Sequence, residues 1–477
     1  MFESCRVALT GFDEALICVN NVVWGWPVII LLLGTGVFLS IGVRFYTIRN
    51  IPYAFSLLRP GHKERGEGDI TPFQALTTAL SATIGNGNIV GVALALTVGG
   101  PGAIFWMWVM ALFGMATKYS EAVLAVTYRE TDNRGRFQGG PMYYIKNGLG
   151  KNWFWLGWLF AFFAMLAAFG IGNMFQAEAV ANAVAGPVLG LTAETAEHDQ
   201  AMLVTGIVLA VFTSLVVIGG IKRIGAVAQV LMPFMATAYV LAGLAVLAVN
   251  ANQIPAAFGL IFSHVFTFEA AGGGVAWAAI VLAMRQGFAR GIFSNEAGLG
   301  SAAIAHAAAK TDDPVRQGTI AMLGTFIDTI IVCTITALAI LTVAFPLGAG
   351  GELVPAWQSG VSAATLTAES FGASIPFGAL IVSCGTILFA YTTLIGWSYY
   401  GERSAEFIFG VRVIVPYRIL WILSIVVGTA TFNLEDIRLI SDTMNGLMAV
   451  PNLIALLALS GVIFAATKEA QAKRRQK

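Results

Sequence analysis

The chain has 477 residues, 57% of them hydrophobic and only 11% charged, with a mean hydropathy of +0.78. A water-soluble domain carries roughly 25% charged residues, so this chain cannot coat itself and must turn most of its surface to lipid. A formal net charge of +1 excludes a polyelectrolyte partner such as nucleic acid and leaves the lipid bilayer as the expected surroundings.

The N-terminal segment carries the acids Glu3, Asp13 and Glu14 and no basic cluster ahead of its first apolar run, which predicts a retained span and not a cleaved signal. A spanning helix needs about 20 mostly apolar residues. By that rule eleven spans are predicted, at 22–43, 72–98, 101–127, 153–186, 201–220, 223–249, 273–308, 317–345, 374–400, 415–432 and 439–465. The stretches around 255–268 and 355–371 are too short or too broken to cross and are expected at the interface between helices. Cys5, Cys18, Cys333 and Cys384 show no paired spacing, so neither a disulfide framework nor a metal knuckle is implied. His62, His198, His264 and His306 are scattered without metal-ligand spacing, and no nucleophile-and-base constellation appears. A membrane enzyme is therefore the weaker class, and no resident cofactor is expected.

Cytoplasmic loops collect Lys and Arg. Placing the N-terminus outside and alternating puts 22 of the 27 basic residues in inside loops. Only Arg6 and Arg438 then fall outside, and Lys118, Arg285 and Arg290 lie within spans. The loop with Glu194, Glu197 and Asp199 has no base and falls outside. The predicted topology is N-out and C-in, in a cell (inner) membrane.

The eleven helices divide as one plus five plus five. Span 72–98 opens the first five and is interrupted by Gly85-Asn86-Gly87-Asn88. Span 273–308 opens the second five and carries Gln286, Gly287, Gly291, Asn295, Gly298 and Gly300. Glycine-interrupted apolar segments in corresponding places of two halves point to a transporter site at the repeat interface. With five helices per half, the second half enters the membrane upside down. The domains expected are an extra helix and linker at 1–71, a first repeat at 72–250, an inverted second repeat at 251–465, and a basic tail at 466–477.

Non-helical backbone at mid-membrane is tolerated only where it faces protein or a water-filled cavity. A helix broken there offers free N–H groups with a positive dipole end, which suit a carboxylate, and free carbonyls, which suit a bare cation. Glycines alone fit close helix packing equally well, and Gly87 and Gly91 have that spacing; Asn86 and Asn88 beside them favour a site. Breaks in two halves suggest alternating closure and not a fixed pore.

GGPGAIFWMWVMALFG at 99–114 resembles the signature of the sodium:alanine (alanine or glycine:cation) symporter family. The resemblance continues through GGPMYYI at 139–145, FARGIFSNEAGLGSA at 288–302 and GWSYYGERSAEFIFG at 396–410, in order along nearly the whole chain. It implies an all-α polytopic fold of the leucine-transporter type, with one extra N-terminal helix before a 5+5 inverted repeat. It also implies sodium-driven uptake of L-alanine or glycine, with sodium as a co-transported ligand.

By that resemblance, Thr83, Gly85, Asn86 and Gly87 form the unwound substrate contact, with the amides of Gly85 and Gly87 toward a carboxylate. Gln176 is expected at the substrate, and Asn173, one turn away on the same face, turns inward with it. Gln286, Gly287, Phe288 and Gly291 are expected to complete the wall from the second broken helix, with Phe293, Trp397 and Met174 as further caps. The carbonyls of Ser81 and Ile84 and the hydroxyls of Thr392 and Thr393 are expected around sodium, a hard cation that prefers oxygen. The plainer alternative for the two threonines is a bond to their own backbone. Glu121, Glu178, Arg285, Arg290, Glu296 and Asp328 lie in or beside spans and are read as internal pairs or gates. Those carboxylates keep proton coupling of another small solute open as the alternative.

Overall fold

The computed structural model describes residues 12–59, 66–192, 195–266, 274–347, 352–430 and 435–476. The expectations that rest on Glu3, Cys5, His62, Lys63 and Glu194 lie outside them. Helices α1 (Phe12–Val23) and α2 (Trp26–Gly42) lead into the first broken helix. Its first half, α3 (Pro72–Thr83), starts sharply. Thr71 accepts from the Gln74 N–H, Gln74 reaches back to the Thr71 N–H, and Pro72 takes a position that needs no donor. Ile84 is extended and ends it. The chain resumes in a π-helical turn at Gly87–Gly91 and in α4 (Val92–Gly99), bent by 56° from α3.

There follow α5 (Gly102–Thr127), α6 (Phe154–Phe169), α7 (Phe175–Ala183), α8 (Ala196–Val217), α9 (Gly220–Val249) and α10 (Ile254–Phe266). The second half has α11 (Gly274–Asn295), α12 (Ser301–Ala307), α13 (Pro314–Thr325), α14 (Thr334–Leu341), α15 (Ala363–Ser374), α16 (Gly378–Phe409), α17 (Ile414–Ala430), α18 (Glu435–Ala458) and α19 (Ser460–Arg475). Two short antiparallel hairpins, Glu130–Thr131 with Phe137–Gln138 and Ala344–Leu347 with Glu352–Pro355, sit between helices. Among the described residues nine helices are long and apolar enough to cross a membrane, or ten when the bent pair is counted as one span. The eleventh expected span, 273–308, is not among them. It is divided into α11 and α12, and Arg285, Gln286 and Arg290 dilute its apolar run.

Burial sorts the helices. The most apolar window of α5 is 83% buried in protein, whereas those of α8 and of the span holding α17 are only 33% buried. So α5 is central, packed on α2, α11, α12 and α13, and α8 is peripheral. Val204, Val208, Val211, Phe212 and Leu215 stand exposed along α8 as a lipid-facing side. The expected absence of a disulfide does not hold for Cys18, which is disulfide-bonded, while Cys333 and Cys384 are free.

Candidate substrate and ion site

The first break opens on a small cavity. A cavity of about 20 Å³ is lined by Ala82, Thr83, Gly85, Asn86, Gly87, Ile171, Gln176, Phe293, Glu296, Thr393, Trp397 and Asn445. That is room for about one water, so a small amino acid enters only when the wall moves. Three acceptor oxygens on this wall, Asn86 Oδ1, Gln176 Oε1 and Asn445 Oδ1, are buried with no partner among the described residues. The Gln176 amide is oriented by its Nε2, which donates to the Ile171 carbonyl at 3.0 Å across a π-helical turn at Gly170–Met174. Such turns recur where helices carry function. Asn173 goes the other way, donating to the Trp421 carbonyl at 2.8 Å, so it joins two helices.

Thr393 brings its hydroxyl to the break: a Cβ placed on Gly85 would lie 2.8 Å from Thr393 Oγ1, which is why glycine is needed there. Thr392 and Thr393 both donate to the Phe389 carbonyl at 3.0 Å. A hydroxyl that donates its proton still has lone pairs to accept or to ligate, so this bond does not remove Thr393 from an ion shell. Thr392 Oγ1 also lies 3.6 Å from Met235 Sδ on α9. Ser81 is fully buried with its hydroxyl unpartnered among the described residues, and Ile84 is fully buried one residue before Gly85.

Of the glycines expected in the second interrupted span, only Gly298 and Gly300 lie at the break. Helix α11 runs unbroken through Gly287 and Gly291 and ends at Asn295. The chain turns at Glu296 (φ 55°), Gly298 (φ 94°) and Gly300 (φ 84°), in the left-handed region that glycine tolerates at no steric cost. Gly287 serves close packing instead, since a Cβ there would meet the Ala103 carbonyl at 2.4 Å. Gly291 faces Met107 and Met110, and Phe288 stacks edge-on against Trp106 with centroids 5.4 Å apart. Gln286 packs over Gly99 and lines a separate outer cavity of about 250 Å³ with Asn20, Asn21, Trp24, Arg285, Arg290, Phe293 and Asp442. These four expected wall residues therefore lie off the inner cavity. Small-residue packing decided α11, and the open break decided α3. Of the expected caps, Phe293 and Trp397 line the cavity, Phe288 does not, and Met174 backs Gly428.

Buried charge ties the two breaks together. Asn88 Oδ1 accepts from the Gly85 N–H at 2.9 Å, and its Nδ2 donates to Asp328 Oδ1 at 2.7 Å. Asp328 Oδ2 also accepts from Ser294 Oγ and Thr329 Oγ1, both at 2.8 Å. Glu296 accepts from Trp397 Nε1 at 3.0 Å, and Glu121 Oε1 accepts from the N–H groups of Gly298 and Gly300 and from Asn452 Nδ2. Asn445, Asn88 and Asn452 carry this site, and the sequence marked only Asn88. The other two are single asparagines within α18.

The two ends of the site differ. On one side a cavity of about 110 Å³, lined in part by Asn86, Phe175, Arg290, Phe293, Arg438 and Asp442, adjoins the inner wall. Phe293, with the Arg290 guanidinium 6.0 Å from its ring centroid, borders all three cavities. On the other side the chain is tied shut. Arg129 donates to the carbonyls of Glu67, Ala307, Ala309 and Thr311, Ile70 pairs with Ala309, and the Phe137 N–H donates to Asp69. Burial pushes the Arg129 guanidinium below the ordinary arginine range, against the pull of Glu67, Asp69 and Asp312.

The family model described as the sodium:alanine symporter family matches residues 10–477. The chain is 52% identical over 456 residues to the sodium/alanine symporter AgcS of Methanococcus maripaludis, covering 94% of this chain and 95% of that one. It is 35% identical over 453 residues to the probable sodium/glutamine symporter GlnT of Bacillus subtilis, covering 94% and 89%. Among solved structures it resembles MhsT in complex with L-phenylalanine, with a TM-score of 0.54 at 13% identity, covering 84% of this chain and 98% of that one.

Proposed function

The chain belongs to the sodium:alanine symporter family, and on that premise we propose that it carries alanine, with glycine as a further substrate, into the cell together with sodium by alternating access. Membership makes it a transporter and not an enzyme, a multi-pass membrane protein of the leucine-transporter fold that couples amino-acid symport to sodium. The observation that carries the finer reading is the ring of three unpartnered acceptor oxygens, Asn86 Oδ1, Gln176 Oε1 and Asn445 Oδ1, around one small cavity at the helix break. An ammonium has three donors and no acceptor. The Gly87 backbone suits the carboxylate at the same break, the expected Gly85 amide being held by Asn88 Oδ1 instead, and the size of the wall favours a short side chain. Thr393 with the carbonyls of Ser81 and Ile84 forms the proposed sodium position, with Thr392 behind it. Asp328 with Asn88 supplies a second oxygen-rich position across the break.

Alternating access is supported by the asymmetry of the two ends, one tied by backbone bonds and the other with cavities leading down to Phe293. The proposed division at 72–250 and 251–465 gives each half one broken helix. The reconstituted wild type should accumulate labelled alanine above equilibrium under an inward sodium gradient and saturate. Equilibration without accumulation would mean a channel, and accumulation that follows protons and ignores sodium would change the coupling ion.

The N-out, C-in orientation is supported by the distribution of bases and by Cys18, because disulfides persist in oxidising compartments outside the cytoplasm. A reporter fused after residue 477 should be cytoplasmic and one inserted near 195 external. Finding both on one side would sink the topology and with it the inverted repeat.

A further inference from the structure

The two broken helices are not equipped alike. At the second break, α5 sends in one residue of each charge, Lys118 and Glu121, one turn apart on one face. Lys118 is 1% exposed, and its Nζ donates at 2.7 Å to the carbonyl of Asn295, the last residue of α11. That carbonyl is among the four that a helix end leaves without an intrahelical partner, at the negative end of the dipole. Glu121 takes the N–H groups of Gly298 and Gly300, at the positive end where α12 begins. The second break is thus liganded at both ends by the protein's own ammonium and carboxylate. At the first break the wall oxygens Asn86 Oδ1 and Gln176 Oε1 stand unpartnered among the described residues.

We propose that Lys118 is a resident cation: its ammonium occupies the carbonyl end of the second broken helix, where a bare ion would otherwise be drawn, and confines the mobile cation to the first break. The inference rests on the sodium coupling proposed above. Lys118 touches neither cavity wall; it is a positioning residue. Through Asn295 it fixes the end of α11, whose Ser294 holds Asp328, which in turn holds Asn88 and Gly85. Its charge acts on Glu296, Glu121 and Asp328. With that one cation removed, three carboxylates remain in a space that cannot hold their charge unpaired, and a sodium ion from solution is the available replacement.

The experiment compares Lys118→Gln, which keeps an N–H donor, Lys118→Ala, which opens room, and Lys118→Arg, which keeps the charge, in the full chain reconstituted in proteoliposomes. The readout is the number of sodium ions carried per alanine, from the membrane potential at which coupled flux reverses. That ratio does not depend on how many molecules are active. K118Q and K118A should carry one more sodium per alanine than the wild type, and K118R should keep the wild-type ratio. A wild-type ratio in both charge-removing variants overturns the proposal and makes Lys118 a packing residue. Where a variant does not transport, equilibrium binding of radioactive sodium to the purified protein decides: one extra bound ion supports the proposal, and an unchanged number overturns it. A wild type with no sodium dependence is a different failure, that of the coupling itself.

Discussion

Asp328→Ala should lower sodium-driven alanine uptake a hundredfold or more, with the full-length protein still delivered to the membrane. The carboxylate accepts from Asn88 Nδ2, Ser294 Oγ and Thr329 Oγ1 within 2.8 Å, all of them buried. Hydrogen bonds to a charged group contribute about 1.5–3 kcal/mol each, so losing two of them at the low end is about 3 kcal/mol, close to a hundredfold. The damage also reaches the break, because the same Asn88 amide accepts from the Gly85 N–H through its Oδ1. Asp328→Asn keeps the shape and some acceptor capacity, and separates folding from transport. It should elute from size exclusion as the wild type does and still lose most of its uptake, because the negative charge facing the cation is gone. Wild-type uptake in D328N would reduce the Asn88–Asp328 pair to packing.

How much of this was legible in advance depended on whether a residue is out of place by itself or only by what it faces. Gly85-Asn86-Gly87-Asn88 is wrong for hydrocarbon under any neighbour, and the first break was readable from the sequence. Gly287 and Gly291 look no different from Gly298 and Gly300 on paper. What separates them is opposite: the Ala103 backbone and Trp106 for Gly287, the Glu121 carboxylate for Gly298 and Gly300. A glycine that admits a neighbouring helix and one that permits a left-handed turn leave the same letter. Asn173 and Gln176 shared a predicted face, but Asn173 lies within the π-helical turn at Gly170–Met174 and Gln176 in the α-helix after it, so the phase changes and only Gln176 lines the cavity. Asn445 is one of two asparagines in α18, and the residues that line the cavity with it come from α3, α7 and α11, far away in the chain. The family resemblance carried the fold and the coupling ion. It did not carry Lys118, whose position in a span was noted but whose contact lies 177 residues away.

Asn86→Leu and Thr393→Val should both stop uptake at low sodium and then part company as sodium is raised. Asn86 Oδ1 faces the cavity without a partner, so leucine removes a substrate contact and breaks no existing bond of that oxygen. An acceptor lost to an ammonium costs about 1.5–3 kcal/mol, tenfold to a hundredfold in alanine affinity, and no sodium concentration restores it. Valine at 393 keeps the shape of threonine and removes one hydroxyl oxygen next to Gly85. The sodium needed for half-maximal uptake should rise about tenfold if that oxygen is a charge-assisted ligand, and alanine affinity should recover at saturating sodium because the three amide oxygens are intact. Linkage requires a reciprocal effect in the wild type, where alanine must tighten sodium binding by the factor by which sodium tightens alanine. Titrating sodium against alanine uptake, and alanine against sodium binding, in all three proteins checks it. Wild-type sodium dependence in T393V would take the hydroxyl out of the ion shell and leave its bond to Phe389 as its whole role; recovery of N86L at high sodium would move Asn86 from the substrate to the ion.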